Sequence, residues 1–297
     1  AWAQGLGLNE VINYSFVGAK DLDRLHLPQE EWVAVHNPLS ADQNTMRTAL
    51  TPGLMRSLRT NVDQGTVSCR LFEIARIFVH DPDSETTVSE HTRFALLLSG
   101  NRHPNSWSWS QEECDYLDIK GVVEHLMQTL QLAPCSYSLD RNHPFAHPAV
   151  TIMHGQTPIG FLGRLHPEIA KFCHAKGQVW VAEMDMDYLS RAFAQSQAAY
   201  TSWAKYPPVH RDMTLIAGTQ VSYASIKTGI QAAAQDLLED CRLIDLYRPQ
   251  DQEERHLTLR MRYRHPHKTL TDKEVDREHA ALGQALLSQL PIRFPGS

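Results

Sequence analysis

Apolar positions in the first two thirds of the chain follow two different periods. Short runs rich in β-branched and aromatic residues predict strands, at 11–17, 32–35, 71–79, 94–98, 149–153, 159–165 and 179–184. Apolar residues recur every three to four positions after Thr51-Pro52, where we expect the Thr51 hydroxyl to cap a helix, and again after Tyr116, where the pattern predicts a second helix. Because strands follow one another with few helices between them, we expect an α+β fold with a mainly antiparallel sheet backed by helices.

The last third of the chain has a simpler order of elements. Its pattern predicts a strand at 213–217, a helix at 222–238, strands at 242–248 and 256–264, a helix at 271–290 and a strand at 292–294. Thr271 and Glu274 have the spacing of a capping box at the start of the second helix. This βαββαβ order is that of the ferredoxin-like fold.

Alternation along the third strand of this domain separates two kinds of residue. In the ferredoxin-like fold both helices cover one face of the sheet, so alternate residues of a strand face the helices. Leu257, Leu259, Met261 and Tyr263 take the helix-facing positions, which places Arg260, Arg262 and Arg264 on the other face. In the preceding strand we expect Ile244 and Leu246 to face the helices, and Asp245 and Tyr247 to face away.

An aromatic ring beside several guanidinium groups suits one class of ligand. The phenol ring of Tyr247 could stack on a base while Arg260, Arg262 and Arg264 hold phosphates, which is how single-stranded RNA is bound without a groove. A solvated basic strand face is the simpler alternative for the arginines. Tyr247 could likewise pack on a neighbouring loop.

The boundary between the two parts is marked by composition. A stretch rich in Ala, Gln and Ser at 192–199 precedes the stiff Tyr206-Pro207-Pro208 turn, so we expect domains at 1–201 and 202–297. Residues 1–203 carry 15 basic and 22 acidic groups, and residues 204–297 carry 13 and 12. Charge alone therefore does not indicate nucleic-acid binding, and a basic surface must be local.

Composition excludes several classes of protein. With 42% hydrophobic and 21% charged residues the chain is neither disordered nor rich in apolar stretches long enough to span a bilayer. Five separated cysteines without a Cys-x-x-Cys pair argue against a disulfide framework or zinc ribbon and favour a reducing compartment such as the cytoplasm. The chain begins with Ala1 inside a domain-like segment, and we expect it to be a piece of a longer protein.

Two groups of residues resemble metal ligands but have simpler interpretations. His143 and His147 each precede a proline, which favours extended loops over a helix that presents both imidazoles to one ion. Asp115, Asp118 and Glu124 surround a helix start, where acidic residues stabilise the helix dipole. We therefore predict no metal site.

Seven segments, colinear over nearly the whole chain, resemble one known family. They are Asn-Pro-Leu-Ser at 37–40, Met-Arg-Thr-Ala-Leu-Thr-Pro-Gly-Leu at 46–54, Phe-Glu-Ile-Ala-Arg-Ile-Phe at 72–78, Asp-Tyr-Leu-Asp-Ile-Lys-Gly at 115–121, Ile-Gly-Phe-Leu-Gly-Arg-Leu-His-Pro-Glu at 159–168, Lys-Tyr-Pro-Pro-Val-His-Arg-Asp at 205–212 and Thr-Leu-Thr-Asp-Lys-Glu-Val at 269–275. Together they resemble the beta subunit of bacterial phenylalanyl-tRNA synthetase.

The resemblance implies both a fold and a function. It implies that 1–201 is a class II synthetase-like module without catalytic function and that 202–297 is a ferredoxin-fold anticodon-binding domain. The subunit would assemble with a catalytic alpha subunit, as a tetramer of two alpha and two beta chains, and bind the anticodon stem-loop of phenylalanine tRNA. ATP and magnesium would serve the whole ligase, with no cofactor in this segment, and the enzyme would be cytoplasmic.

The sequence agrees that the first module is not an adenylation site. Its single Gly-x-Gly pair, Gly5 and Gly7, is followed three residues later by Glu10, where an arginine would be needed for phosphate. No Arg-x-Glu stands near Glu73. We therefore predict no catalytic residue, and we expect Arg47, Arg56 and Arg59 to form salt bridges at the subunit interface.

The resemblance also implies tRNA-binding residues. Tyr247 matches the family tyrosine that stacks on an anticodon base, and we add Arg211, Arg260, Arg262, Arg264 and His256 as predicted contacts. Arg211 could instead pair with Asp212. The chain departs from the family at Pro249, which stands where relatives carry glycine, and at 250–255, where the hairpin reads Gln-Asp-Gln-Glu-Glu-Arg. These acidic residues would weaken phosphate binding at the hairpin.

A function of another class uses the same fold. Ferredoxin-like domains also serve as effector sites, so an amino-acid-sensing regulator is the alternative to a tRNA ligase. Such a regulator would need a polar pocket between copies of the domain. The predicted arginine row favours RNA.

Overall fold

A computed structural model describes residues 1–196, 202–234, 236–249 and 253–296. The chain divides into two compact units, Ala1–Ala198 and Ala199–Ser297. We call them unit 1 and unit 2. In the part of the chain that is described, no helix combines the length and apolar character needed to cross a membrane.

Unit 1 contains nine strands and six α-helices in its described residues. The strands are β1 (Asn9–Glu10), β2 (Phe16–Val17), β3 (Thr45–Met46), β4 (Cys69–His80), β5 (Val88–Ser99), β6 (Ser136–Asp140), β7 (Ala146–His154), β8 (Thr157–Leu165) and β9 (Val179–Asp185). The helices are α1 (Trp2–Gly5), α2 (Ala19–Arg24), α3 (Thr51–Asp63), α4 (Tyr116–Thr129), α5 (Pro167–Ala170) and α6 (Met186–Gln195).

A seven-stranded sheet with the order β1-β4-β5-β9-β8-β7-β6 forms the centre of unit 1. Its pairings are antiparallel except that of β1 with β4. Both faces are buried: Leu96 and Leu98 pack in one cluster with residues of α4, and Ala95 and Leu97 pack in another with residues of α3. The α+β class and the mainly antiparallel sheet are therefore confirmed.

Two predicted strands of unit 1 are wrong in most of their length: of 11–17 only Phe16–Val17 is a strand (β2), and 32–35 forms none. Residues 11–15 form no strand, because Asn13 donates its backbone and side-chain N–H groups to the buried carboxylate of Glu73. Residues 32–35 contribute only an isolated bridge at Ala34. In both segments hydrogen bonds to side chains or single bridges replace a strand ladder.

Unit 2 consists of β10 (Val209–Gly218), α7 (Tyr223–Ala233), β11 (Leu238–Tyr247), β12 (Glu254–Tyr263), α8 (Asp272–Gln289) and β13 (Ile292–Arg293). The sheet has the order β11-β12-β10-β13 with antiparallel pairings, and its core lies between the sheet and the two helices. The ferredoxin-like order is confirmed, as is the capping box of Thr271 and Glu274.

The first helix of unit 2 is shorter than predicted. Its pattern predicts a helix to residue 238, but α7 ends at Ala233, and Leu238 already pairs with Tyr263 in the sheet. Leu237 accepts a hydrogen bond from the backbone N–H of Arg264 at 2.9 Å. The apolar residues after α7 therefore reach the core from outside the helix, Leu237 from a turn and Leu238 from the start of β11. Gln235 lies outside the described residues.

Candidate nucleic-acid interface

The sheet of unit 2 has one face packed on α7 and α8, and we call its other face the open face. Leu257, Leu259, Met261 and Tyr263 of β12 are buried against the helices. The alternate residues of β12 have partners on both neighbouring strands. In β11 these partners are Tyr247 for His256, Asp245 for Thr258, Arg242 for Arg260 and Asp240 for Arg262. In β10 they are Thr214, Asp212 and His210 for Thr258, Arg260 and Arg262.

Tyr247 lies at the end of β11 with 55% of its surface exposed. Its ring contacts the imidazole of His256 edge-on, with 5.6 Å between the ring centroids and 75° between the planes. This neighbour fixes one edge of the phenol while its register places the ring on the open face. The predicted position of Tyr247 is confirmed, and its contact with RNA stays a prediction.

A β-bulge between Leu243 and Asp245 sets this orientation. Leu243 pairs with Leu259 and Leu246 with Leu257, so both take helix-facing positions although they are three residues apart. The extra residue is Ile244, and its predicted helix-facing ladder position is wrong. Without the inserted residue, strand alternation counted from Leu243 would carry Tyr247 to the helix side.

The predicted arginine row is present, but each member has a carboxylate partner. The guanidinium of Arg260 donates two hydrogen bonds to Asp212, both of 2.8 Å. These bonds hold the pKa of Asp212 below its usual value. One carboxylate oxygen of Glu239 lies 2.9 Å from Nε of Arg262 and 3.0 Å from Nε of Arg264. The row is therefore charge-compensated rather than a free basic stripe.

Arg211 lies on the opposite side of the sheet from the open face. It pairs in register with Met261 and donates hydrogen bonds to Asp272 at 2.7 Å and Asp276 at 2.8 Å, both in α8. The alternative pairing of Arg211 with Asp212 is therefore wrong, because adjacent residues of a strand point to opposite faces. Its predicted contact with RNA stays untested.

The hairpin between β11 and β12 is described in part. Gln250, Asp251 and Gln252 lie outside the described residues. Of the remaining acidic residues, Glu254 pairs with Arg293 at 2.7 Å. Part of the acidic charge expected to oppose phosphate here is thus compensated.

The compensating residues were absent from the sequence predictions. Asp212 follows the alternation of β10, which could have identified it as a residue of the open face. Asp240 precedes the bulge at Ile244, so alternation counted back from Leu246 would have placed it on the helix side. Glu239 could not be assigned this way, because the register shifts between Leu238 and Asp240. The acidic residues of the open face can therefore be predicted only in part from strand alternation.

Unit 1 uses its buried charged groups internally. Arg47 and Glu73 are both buried and lie 2.8 Å apart, and Nε of Arg47 donates to the carbonyl of Arg76 at 2.8 Å. Arg56 pairs with Asp21, and Arg59 lies 3.7 Å from Asp63. The partners of these arginines are in the same chain, and their place at a subunit interface stays a prediction. Arg47 is thus not presented to a nucleotide phosphate.

A second buried carboxylate lies at the start of α3. Glu183 of β9 accepts hydrogen bonds from the backbone N–H groups of Leu50 and Thr51 and, at 3.0 Å, from the hydroxyl of Thr51. Burial raises the pKa of Glu183 against the opposing effect of these bonds. Thr51 therefore does not cap α3 as predicted, and the carboxylate of a distant strand satisfies its first N–H groups.

The residues considered as metal ligands have other partners. Among the described residues no group of three or more His, Cys, Asp or Glu side chains could hold a metal ion. Asp115 and Asp118 form the capping box of α4, which confirms their predicted role, and both contact Arg102. His143 packs against Phe145 and Phe161, and burial lowers its pKa. The predicted loop position is confirmed for His143, which lies between β6 and β7, and is wrong for His147, which lies in β7.

Comparison with known proteins assigns a family to both units. Residues 1–186 match the family described as phenylalanyl tRNA synthetase beta chain CLM domain, and residues 204–294 match the ferredoxin-fold anticodon binding domain. Relatives named phenylalanine-tRNA ligase beta subunit include those of Nitratidesulfovibrio vulgaris (42% identity over 99% of this chain and 37% of the relative), Oleidesulfovibrio alaskensis (39% over 89% and 34%) and Syntrophus aciditrophicus (32% over 97% and 37%).

The length of these relatives puts the match in context. This chain spans 37%, 34% and 37% of their lengths, little more than a third. The match nevertheless runs through nearly all of this chain in each case. With the fold of both units and the two matched families, this chain belongs to the phenylalanyl-tRNA synthetase beta-chain family.

Proposed function

We propose that this chain is the C-terminal part of the beta subunit of a phenylalanine-tRNA ligase. Unit 2 binds the anticodon region of phenylalanine tRNA, and unit 1 is a non-catalytic module that assembles with the catalytic alpha subunit. The names of the relatives support the subunit, and the ferredoxin-fold match supports the anticodon role. ATP and magnesium would act in the whole ligase, in the cytoplasm. The comparisons give no support to an amino-acid-sensing regulator.

The observation that carries the RNA proposal is the position of Tyr247. A half-exposed aromatic ring on the open face, supported on one edge by His256, offers its plane to a base. Stacking on such a ring contributes roughly 1 to 3 kcal/mol per base and accepts any base, since each has a π face. The ring therefore suits an unpaired loop nucleotide.

The ion pairs of the open face suit phosphate exchange. Arg260 and Asp212 are 50% and 41% exposed, and exposed pairs contribute at most about 1 kcal/mol. A phosphate that takes the place of the Asp212 carboxylate would keep the two-pronged geometry of the guanidinium. The Asp212 carboxylate therefore competes with phosphate for Arg260 and opposes this contact in the wild-type chain.

The buried charges of unit 1 support its non-catalytic role. Glu73 and Arg47 satisfy one another, and the Glu183 carboxylate binds the start of α3. The groups that could otherwise contact a nucleotide are used to hold the fold, so these residues do not fit an ATP site. Fold alone does not bring chemistry with it.

Binding of a fluorescent anticodon stem-loop tests the proposal directly. Fluorescence anisotropy of the 297-residue chain should show tighter binding to the stem-loop of phenylalanine tRNA, whose loop bases are unpaired, than to a fully paired duplex of the same stem sequence. Equal affinities would contradict anticodon recognition. Co-purification with a cognate alpha subunit tests unit 1 separately, and failure to form a complex would contradict its assembly role.

A further inference from the structure

A groove of about 570 Å³ lies in unit 2 beside the end of β12. One wall is the segment that precedes β10, with Trp203, Lys205 and Tyr206, and the other is the turn that follows β12, with His265 and His267. We call it the Trp203 groove. Since both walls precede or follow strands of one sheet, the groove belongs to the ferredoxin-like unit.

The groove is continuous with the open face. Arg264 lines the groove, donates to the carbonyl of Tyr206 at 3.1 Å, and shares a carboxylate oxygen of Glu239 with Arg262 of the open face. Arg264 follows His256, the partner of Tyr247, by eight residues, so the two residues lie about 26 Å apart at the rise of a β-strand. Arg260 and Arg262 lie between these two ends.

The lining combines an aromatic plate with hydrogen-bond donors. The side chain of Trp203 is 91% exposed, and in the described part of the chain Lys205 forms no ion pair. His265 accepts the backbone N–H of His267 at Nδ1 over 3.0 Å, which leaves Nε2 to carry its proton and act as a donor. Asp236 also lines the groove and would repel a phosphate placed beside it.

This chemistry favours a nucleotide that inserts its base. We propose that the Trp203 groove is a second nucleotide-binding subsite, in which an unpaired base stacks on Trp203 while Lys205 contacts the adjoining phosphate. The bound strand would run from Tyr247 along β12 to the groove. This inference rests on the proposed RNA-binding function and extends the site to both ends of the open face.

Matched tryptophan variants of the 297-residue chain test this subsite. The probe is the fluorescent anticodon stem-loop of phenylalanine tRNA carrying the native loop. Trp203→Ala should weaken binding at least fivefold, the lower end of the effect of losing one stacked base, and Trp203→Phe should stay within about threefold of wild type. The control is Trp107→Ala, which removes another exposed tryptophan, 99% exposed in unit 1, and should leave affinity unchanged.

Fluorescence separates direct contact from an indirect effect. RNA should quench tryptophan emission in wild type and in Trp107→Phe, and this quenching should be lost in Trp203→Phe, which keeps an aromatic ring. If Trp203→Ala binds as tightly as Trp107→Ala while Tyr247→Ala binds weakly, the subsite is refuted and the RNA-binding function stands. If neither Trp203→Ala nor Tyr247→Ala weakens binding, both are refuted.

Discussion

Replacing Asp212 by Asn should strengthen RNA binding, because it frees Arg260 on the open face. The two side chains form a two-pronged pair that is half exposed, so its loss changes folding stability by no more than about 1 kcal/mol. One more free cation permits about one more phosphate contact, which steepens the salt dependence of log K for a single strand by about 0.7. Taking about 1 M salt as the reference, affinity should rise about eightfold at about 50 mM and about threefold at about 200 mM salt.

The assay is anisotropy with the anticodon stem-loop at several salt concentrations. The matched control is Asp276→Asn, which makes the same change in charge beside Arg211 on the helix side of the sheet. If phosphates bind the open face, only Asp212→Asn should steepen the slope. Equal slopes for Asp212→Asn and wild type would refute phosphate contact by Arg260. A steeper slope for Asp276→Asn would instead place Arg211 at the RNA.

Two predictions concern the stability of unit 1, measured by urea unfolding of the chain. Burial raises the folded-state pKa of Glu183 above its unfolded value of about 4.3. The contribution of this raised pKa to the free energy of unfolding is therefore full below pH about 4.3 and is lost as the pH rises through the folded-state pKa. Glu183→Gln should remove this pH dependence. Glu183→Ala should lower the free energy of unfolding by about 3 kcal/mol, because it leaves the first N–H groups of α3 without an acceptor. If the difference in free energy of unfolding between wild type and Glu183→Gln does not change with pH, the reasoning is contradicted. Gly160→Ala should cost about 3 kcal/mol or more, since its Cβ would lie 2.1 Å from the carbonyl oxygen of Glu183. Gly121→Ala, in open space on α4, should stabilise by about 0.5 to 1 kcal/mol, and equal effects of the two glycine substitutions would refute the argument from close packing.

The parts of unit 2 that could be predicted are those with unbroken periodicity. Alternation from Leu257 to Tyr263 identified the buried face of β12 and the arginines opposite, because a strand without a bulge keeps its period of two. The bulge at Ile244 could not be predicted, since an inserted residue has no signature of its own in an apolar run. Tyr247 was nevertheless placed correctly, because the expected parity was counted from Leu246, beyond the bulge.

Long-range polar contacts explain the errors in unit 1. Residues 11–15 look like a strand, but their position is decided by the buried Glu73, to which Asn13 donates. Thr51 looks like a helix cap, but Glu183, 132 residues later, takes that role. Local pattern carries no information on partners so far along the chain, and tertiary contacts override local preference at both places.

The affinity of Tyr247 variants for the anticodon stem-loop tests the central claim most directly. Tyr247→Ala should lower affinity by roughly 1 to 3 kcal/mol, the loss of one base stack, and Tyr247→Phe should bind like wild type because the ring remains. The ring is half exposed, so thermal unfolding should show both variants folded. Equal affinity of wild type and Tyr247→Ala would contradict the account, since the open face would then bind RNA without its aromatic plate or not at all.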